Sequence, residues 1–382
     1  MGLNRDVYVI GVGMSAFGRY SGNSGDLGFQ AGVAALDDAA IPFTDVQYVS
    51  VGADFLGGGS GVDVIKDLGL TGVPITNVFN ASATGSTAFR EAVLSVAGGH
   101  SEVAMALGFS NMLATNSVQA APPAPKMEWV VLPAGFFALW AVRRMHDYGT
   151  TVETFAKIAA KNWNHARLNP YAQRRADHLI TPEEVLASRM ISYPHTSMMS
   201  TASGAGGACA IVATREVAER LANSRPLVKV VASQQQSEQY TEGHIFHGAV
   251  VGPPEMTQTT AQACYEEAGL GPSDLSLVHV HDAFPIEELM YYELLGICPE
   301  GEGDRLVAEG ATSLGGRIPF STDGGLIARG HPGSPTGLAQ IWDVATQLRG
   351  EAGPRQVENA RVGLAHMVGA GTVCVTHILQ RA

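Results

Sequence analysis

The spacing of apolar positions changes period several times along the first hundred residues, and each change marks an element boundary. Asp6 to Gly13 is an apolar, β-rich run ending in glycines, and Asp26 to Ala40 then follows a helical apolar spacing closed by Pro42. Val46 to Ala53, Ile75 to Phe79 and Val103 to Gly108 are short strand candidates, the last two separated by a helix from Ser86 to Ala97. Alternation of this kind predicts an α/β chain with a parallel-rich sheet covered by helices.

The same grammar restarts after Arg225-Pro226. It gives a strand from Leu227 to Ala232, a helix from Thr257 to Ala268, a strand from Leu275 to His281, helices over Pro285 to Leu295 and Gly337 to Gln347, and a closing strand from Thr372 to Leu379. Residues 226–382 are therefore expected to repeat the architecture of residues 1–225, with the turn after Phe79 and the turn after His281 as equivalent positions. Between the halves, Ala114 to Pro194 is richer in aromatic, basic and amide residues and reads as mostly helical from Ala134 to Arg167. It is expected to be an inserted loop domain over the active face, where specificity is commonly carried.

Bulk properties narrow the classes. The 382 residues, with 46% hydrophobic residues, 45 glycines and 16% charged residues, suit a compact two-lobed protein with many close backbone approaches. A formal charge of −12 argues against nucleic acid or an anionic membrane as the main partner. Locally the sign reverses: Arg143, Arg144, Lys157, Lys161, Arg167, Arg174 and Arg175 face only Asp147 and Glu153 in the same stretch. That excess suits a phosphate-bearing ligand, and a solvated helix face balanced by its neighbours stays open beside it. Four scattered cysteines form no CxxC pair and no secreted framework, no leader pattern opens the chain and no run has membrane-spanning length, so a cytoplasmic protein is expected.

Four constellations carry chemistry. Ile75 to Ser86 reads as a buried strand, a tight turn of small residues and a helix start, with the hydroxyl of Ser82 at the turn, which is the architecture of a nucleophile elbow. The helix after it directs its partial positive end at that turn. His331, between Gly330 and Pro332, is the candidate base, because an imidazole titrates near neutrality. His279 and His281 fall on one face at the end of a strand, and with no third ligand nearby they are read as pocket or packing residues and not as a metal site. Gly369 and Gly371 precede a strand, where they either aim backbone N–H groups at a developing oxyanion or form a plain turn, and Cys374 behind them is read as core.

At these residues the chain resembles the thiolase superfamily, in particular its sterol-carrier-protein-X, or lipid-transfer, branch. The resemblance runs through Ile10 to Gly13, Asn80 to Ser86, Leu168 to Ala172, His281-Asp282-Ala283-Phe284, Leu295 to Gly303, Gly324 to Pro332 and Leu348 to Val357. It implies a five-layered αβαβα fold of two similar halves, a homodimer, and making or breaking a carbon–carbon bond next to a coenzyme A thioester. Coenzyme A would be substrate, with no covalently bound cofactor. By the same resemblance the family's nucleophilic cysteine falls on Ser82, its activating histidine on His331 and its oxyanion residue on His281. An acid/base cysteine of some members falls on Ala283, and the aspartate usual near Gly204 to Cys209 is missing.

Three readings of Ser82 follow: an imposed replacement in a thiolase or acyltransferase, a natural serine in a retro-aldol lyase that needs no acyl-enzyme, or an inactive scaffold subunit. The branch also implies pairing with a small OB-fold, zinc-ribbon subunit. Arg143, Arg144 and Lys161, with Phe136 and Phe137, are the candidate contacts for coenzyme A or substrate. The apolar Trp129 to Trp140 region is expected to face the ligand, a partner, or the interior of a helix core.

Overall fold

A computed structural model describes residues 3–53, 61–115, 133–240, 254–370 and 373–382. The strands, in chain order, are β1 Val7–Met14, β2 Tyr48–Gly52, β3 Ile75–Asn77, β4 Val103–Asn111, β5 Met190–Ser192, β6 His195–Thr196, β7 Ala205–Thr214, β8 Val228–Ser237, β9 Leu277–His279, β10 Val362–Gly369 and β11 Val373–Arg381. Nine of them join in the order β3-β2-β4-β7-β1-β8-β11-β10-β9, while β5 and β6 form a separate hairpin. The two halves meet where Val7 to Val9 of β1 pair antiparallel with Val228 to Val230 of β8.

Helix placement turns this sheet into five layers. The helix Ser24–Ala39 packs on β1, β7 and β4 of the first half, and Pro254–Ala268 packs on β8 and β11 of the second. Helices Thr84–Ala97 and Thr336–Arg349 pack on strands of both halves and on each other, so they form the middle layer. Their burial fits that position: thirteen of the residues from Thr336 to Arg349 are buried, including Trp342, Asp343 and Arg349. The thiolase-like αβαβα fold follows from this arrangement.

The sheet is mixed and not parallel-rich as the alternation suggested. Pairings of β2 with β3, β2 with β4 and β9 with β10 are parallel, but β1, β7, β8 and β11 bring antiparallel partners. Part of the reason is β7 and β10, which the sequence reading did not separate out and which bring three of the antiparallel pairings. All ten residues of β7 and all eight of β10 are buried, so neither strand has the inside-outside alternation that marks a half-exposed strand. A second difference concerns β3, which is an exposed edge and not a buried strand: Thr76 and Asn77 face outward.

The expected equivalence of the two turns is also corrected. From the β1–β8 junction outward, β9 occupies the place of β2. The place of β3 is taken by Phe320, which bridges Val278 in parallel. The elbow carrying Ser82 therefore corresponds to residues 321–335, the loop carrying His331. Each leads into one of the middle helices. The turn after His281 corresponds instead to the segment after Gly52.

Buried histidines make the fold acid-sensitive. Burial depresses His165, His366 and His377 to about 3 and His195 to about 4, against an ordinary imidazole value of 6.5. Each stays neutral in the folded chain while the unfolded chain takes up a proton below 6.5. Their stabilising contribution is thus complete above pH 6.5 and is lost as pH falls toward 3 to 4. At pH 4.5 the loss is roughly 2 to 3 kcal/mol for each of the three lowest, together comparable with the whole stability of a domain. The buried carboxyls Asp282 and Glu287, raised chiefly by burial, oppose this in part. Chemical denaturation at pH 7.0 and pH 4.5 is expected to show a collapse of the unfolding midpoint; equal midpoints would contradict it.

Candidate functional site

The two middle helices cross at their N-terminal ends, and small residues permit the crossing. A Cβ on Gly85 would overlap the carbonyl oxygen of Ser334, and one on Gly337 would overlap Ser86. This contact draws the two preceding loops together. Ser82 Oγ lies 3.0 Å from His331 Nε2 although the residues are 249 positions apart.

The elbow is fastened by its own side chains. Asn80 N–H donates to Thr84 Oγ1 at 2.9 Å, Thr84 Oγ1 donates to Ala81 O at 2.6 Å, and Asn80 Nδ2 donates to Thr87 Oγ1 at 2.8 Å. Ala81, just before the serine, is held at φ 49°, a left-handed conformation that costs an alanine about 1–2 kcal/mol. The surrounding bonds offset that strain, which turns Ser82 into a half-buried position at the start of Thr84–Ala97. No side chain caps that helix, so its partial positive end stays directed at the turn.

His331 is buried and pinned on three sides. Its backbone N–H donates to Ala202 O at 2.9 Å, ring Nδ1 is 2.8 Å from Thr336 Oγ1, and Nε2 faces Ser82. Burial, reinforced by His281 and Arg329, holds the imidazole well below its ordinary titration range, so it is neutral at pH 7. A neutral imidazole with Nε2 on a hydroxyl has the geometry of a general base.

His281 completes the cluster. Its ring stands edge to face with that of His331, centroids 5.5 Å apart, and Nδ1 is 2.8 Å from Glu287 Oε1. Glu287 also accepts from Phe284 N–H at 3.2 Å and Tyr291 hydroxyl at 3.3 Å. Sequence reasoning passed over Glu287 and Thr336. A signal for Glu287 was present, since Pro285 and Glu287 sit at the first and third positions of a helix start and resemble a capping pattern. Thr336 carried none.

Of the remaining candidates one adjoins this cluster. Gly369 ends β10 against the elbow, where a Cβ would overlap Asn80 O. Gly371 lies outside the described residues, as does Trp129. His279 is bound to Asp343 at 2.9 Å and Thr322 at 3.3 Å in the interior, a structural pairing. Cys374 is fully buried and pushed up to about 11 by that burial.

Two of the three basic candidates, Arg144 and Lys161, are spent inside the protein, against the expectation of free phosphate contacts, while Lys157 and Arg175 of the same stretch stay exposed. Lys161 is buried against Glu288, and Arg144 is bidentate to Glu293, at 2.9 and 2.6 Å, and also reaches Asp304 at 3.2 Å. Those acids lie more than a hundred positions downstream, so local charge counting could not find them. Arg143 alone of the three stays outside, paired with Asp147 at 2.5 Å. Phe137 is core, stacked near Phe284 with centroids 5.2 Å apart, and Phe136 packs at its edge. A separate cavity of about 560 Å³ lies between Trp140, Arg143, Tyr148, Met290 and Cys298. Among the described residues no group of three His, Cys, Asp or Glu is arranged to hold a metal ion, and no helix is long and apolar enough to cross a membrane.

Comparison with known proteins gives consistent matches over both halves. Residues 7–185 match the family model "Thiolase, N-terminal domain" and residues 239–381 match "Thiolase C-terminal domain-like". Sterol carrier protein 2 of Bos taurus is 37% identical over 400 residues, covering 99% of this chain and 73% of that protein. Benzoylsuccinyl-CoA thiolase subunit BbsB of Thauera aromatica is 36% identical, covering 97% of this chain and 96% of that protein. Among solved structures, an Ltp2-ChsH2(DUF35) aldolase superposes with a TM-score of 0.83 at 24% identity over 100% of this chain and 99% of that one, a likeness of fold.

Proposed function

The chain belongs to the thiolase family, as an enzyme of carbon–carbon bond chemistry on acyl-CoA, and from that premise we propose that it cleaves a 3-hydroxyacyl-CoA by retro-aldol chemistry. The observation that carries this reading is the Ser82–His331 contact at 3.0 Å, with a hydroxyl and not a thiol at the elbow and all four cysteines of the chain buried. Thiolysis asks for a strong nucleophile and a second acid/base group. Retro-aldol cleavage asks for a base and for a place to hold an enolate until its C2 is protonated, and needs no covalent nucleophile.

The residues divide those two tasks. His331 Nε2 takes the proton of the 3-hydroxyl, with Ser82 Oγ orienting that group. The C2–C3 bond breaks, C3 becomes a carbonyl, and the bonding pair enters the thioester as an enolate. His281 donates to the enolate oxygen, with the backbone at Gly369 lining the same side. The positive ends of two uncapped helices favour that negative charge. Coenzyme A is carried as part of the substrate, with the exposed Arg143 as one contact for its phosphates.

Thiolysis or acyl transfer is the second reading, favoured by the elbow geometry at Ser82. Incubation with a 3-hydroxyacyl-CoA, and separately with a 3-oxoacyl-CoA plus coenzyme A, distinguishes them. Release of a ketone or aldehyde in the first mixture supports the proposal; thiolysis alone overturns it, and neither activity points to a scaffold subunit.

Assembly is proposed on surface evidence. The unpaired edge β3, flanked by Leu70 at 88% and Phe79 at 51% exposure, supports a homodimer. Leu139 and Val142, exposed on the helix Pro133–Tyr148, offer a face to a small OB-fold, zinc-ribbon subunit. Four free thiols support a cytoplasmic location.

A further inference from the structure

Cleavage leaves an enolate whose C2 must gain a proton, and the site has no thiol for that step. Position 283 is a buried alanine, Cys209, Cys264 and Cys374 are withdrawn into the core, and Cys298 lines the separate cavity beside Trp140. The polar group at hand is the imidazole of His281. Nδ1 is bound to Glu287, and Nε2 has no hydrogen-bond partner among the described residues, with the ring 5.5 Å from that of His331.

Glu287 is built to hold this imidazole. It is fully buried, and the Phe284 N–H and the Tyr291 hydroxyl fix its carboxylate while Oε1 receives Nδ1–H. A carboxylate on one imidazole nitrogen sets the tautomer, orients the ring and stabilises the imidazolium, leaving the other N–H to act as an acid. Tyr291 is itself packed against His366, centroids 4.5 Å apart, which keeps the carboxylate from swinging away.

Resting on the carbon–carbon cleavage reading above, we propose that His281, positioned by Glu287, delivers the proton to C2 of the enolate and removes it in the reverse direction. The Nε2–H bond breaks, a C2–H bond forms with the enolate electron pair, and the thioester carbonyl is restored. His281 is left neutral and regains a proton from water, to which His331 returns the proton it took from the hydroxyl. Glu287 keeps its bond to Nδ1 throughout and is a positioning residue. Because the enolate oxygen and C2 are two bonds apart, one N–H over the enolate serves first the oxygen and then the carbon.

Acetyl-CoA in D2O tests this without any C2–C3 bond to break. The unmodified chain is expected to introduce deuterium into the acetyl methyl group, followed by mass spectrometry. His281→Gln is expected to slow exchange at least about 100-fold. Glu287→Gln is expected to slow it about 10-fold or more with acetyl-CoA binding and thermal midpoint unchanged, and Glu287→Asp to recover part of the rate. Exchange at the original rate in His281→Gln overturns the proposal. So does a Glu287→Gln loss that only follows weakened binding or stability, or cleavage of a 3-hydroxyacyl-CoA without exchange by the unmodified chain. Exchange without cleavage supports the proton step and removes the retro-aldol reading instead.

Discussion

Replacing His331 by glutamine is expected to lower kcat for carbon–carbon cleavage by about 10²–10⁴-fold with little change in KM. Glutamine spans a similar distance and retains hydrogen bonding toward Ser82 and Thr336, so the loop keeps its partners. It cannot accept a proton. The imidazole can, and burial keeps it neutral far below its usual range, so the unmodified enzyme should show no fall in kcat/KM between pH 8 and pH 6. The sign follows from the base needing to be unprotonated: activity declines only when pH drops toward the depressed titration point. Steady-state kinetics of His331→Gln, with a pH profile of the parent chain, check both statements. A variant retaining more than a tenth of the parental kcat would remove His331 from the reaction.

The same pair explains what was legible in the sequence. Small residues around one hydroxyl and glycines around one imidazole are local patterns, and both pointed to loops preceding helices. Their meeting was inferred, and its cause lies in Gly85 and Gly337, which let the two middle helices touch. The internal symmetry was visible as repeated strand-helix grammar but was set in the wrong register. Phe320 contributes a single bridge to Val278, and the helical insertion from Pro285 to Ala308 separates it from β9. A one-residue strand has no periodicity to read.

Charges were the least legible part. Arg144 and Lys161 belong to a basic stretch, yet Glu288, Glu293 and Asp304 neutralise them from across the fold. Removing either partner would strand a buried charge, a loss of about 3–5 kcal/mol, so these residues hold the insertion onto the second half whatever they do for a ligand. His281 shows the opposite case. Its sequence neighbours placed it near the site, but its partner became clear only when the helix start folded Glu287 back over it.

Ser82→Cys is expected to create a thiol that iodoacetamide modifies on the order of 100-fold faster than any native cysteine. The new sulfur would sit at an uncapped helix start with His331 Nε2 as its neighbour, two influences that favour a thiolate. The native thiols face the reverse situation: burial raises Cys209 and Cys264 strongly and pushes Cys298 and Cys374 up to about 11. Alkylation followed by peptide mass spectrometry should therefore find one modified site. With a 3-oxoacyl-CoA the same variant should accumulate a covalent acyl thioester at position 82, because Ala283 supplies no thiol for rapid turnover while His331 still activates the sulfur. Alkylation no faster than that of the native cysteines would mean that the imidazole and the helix start do not act on residue 82, and the elbow would then be only a turn.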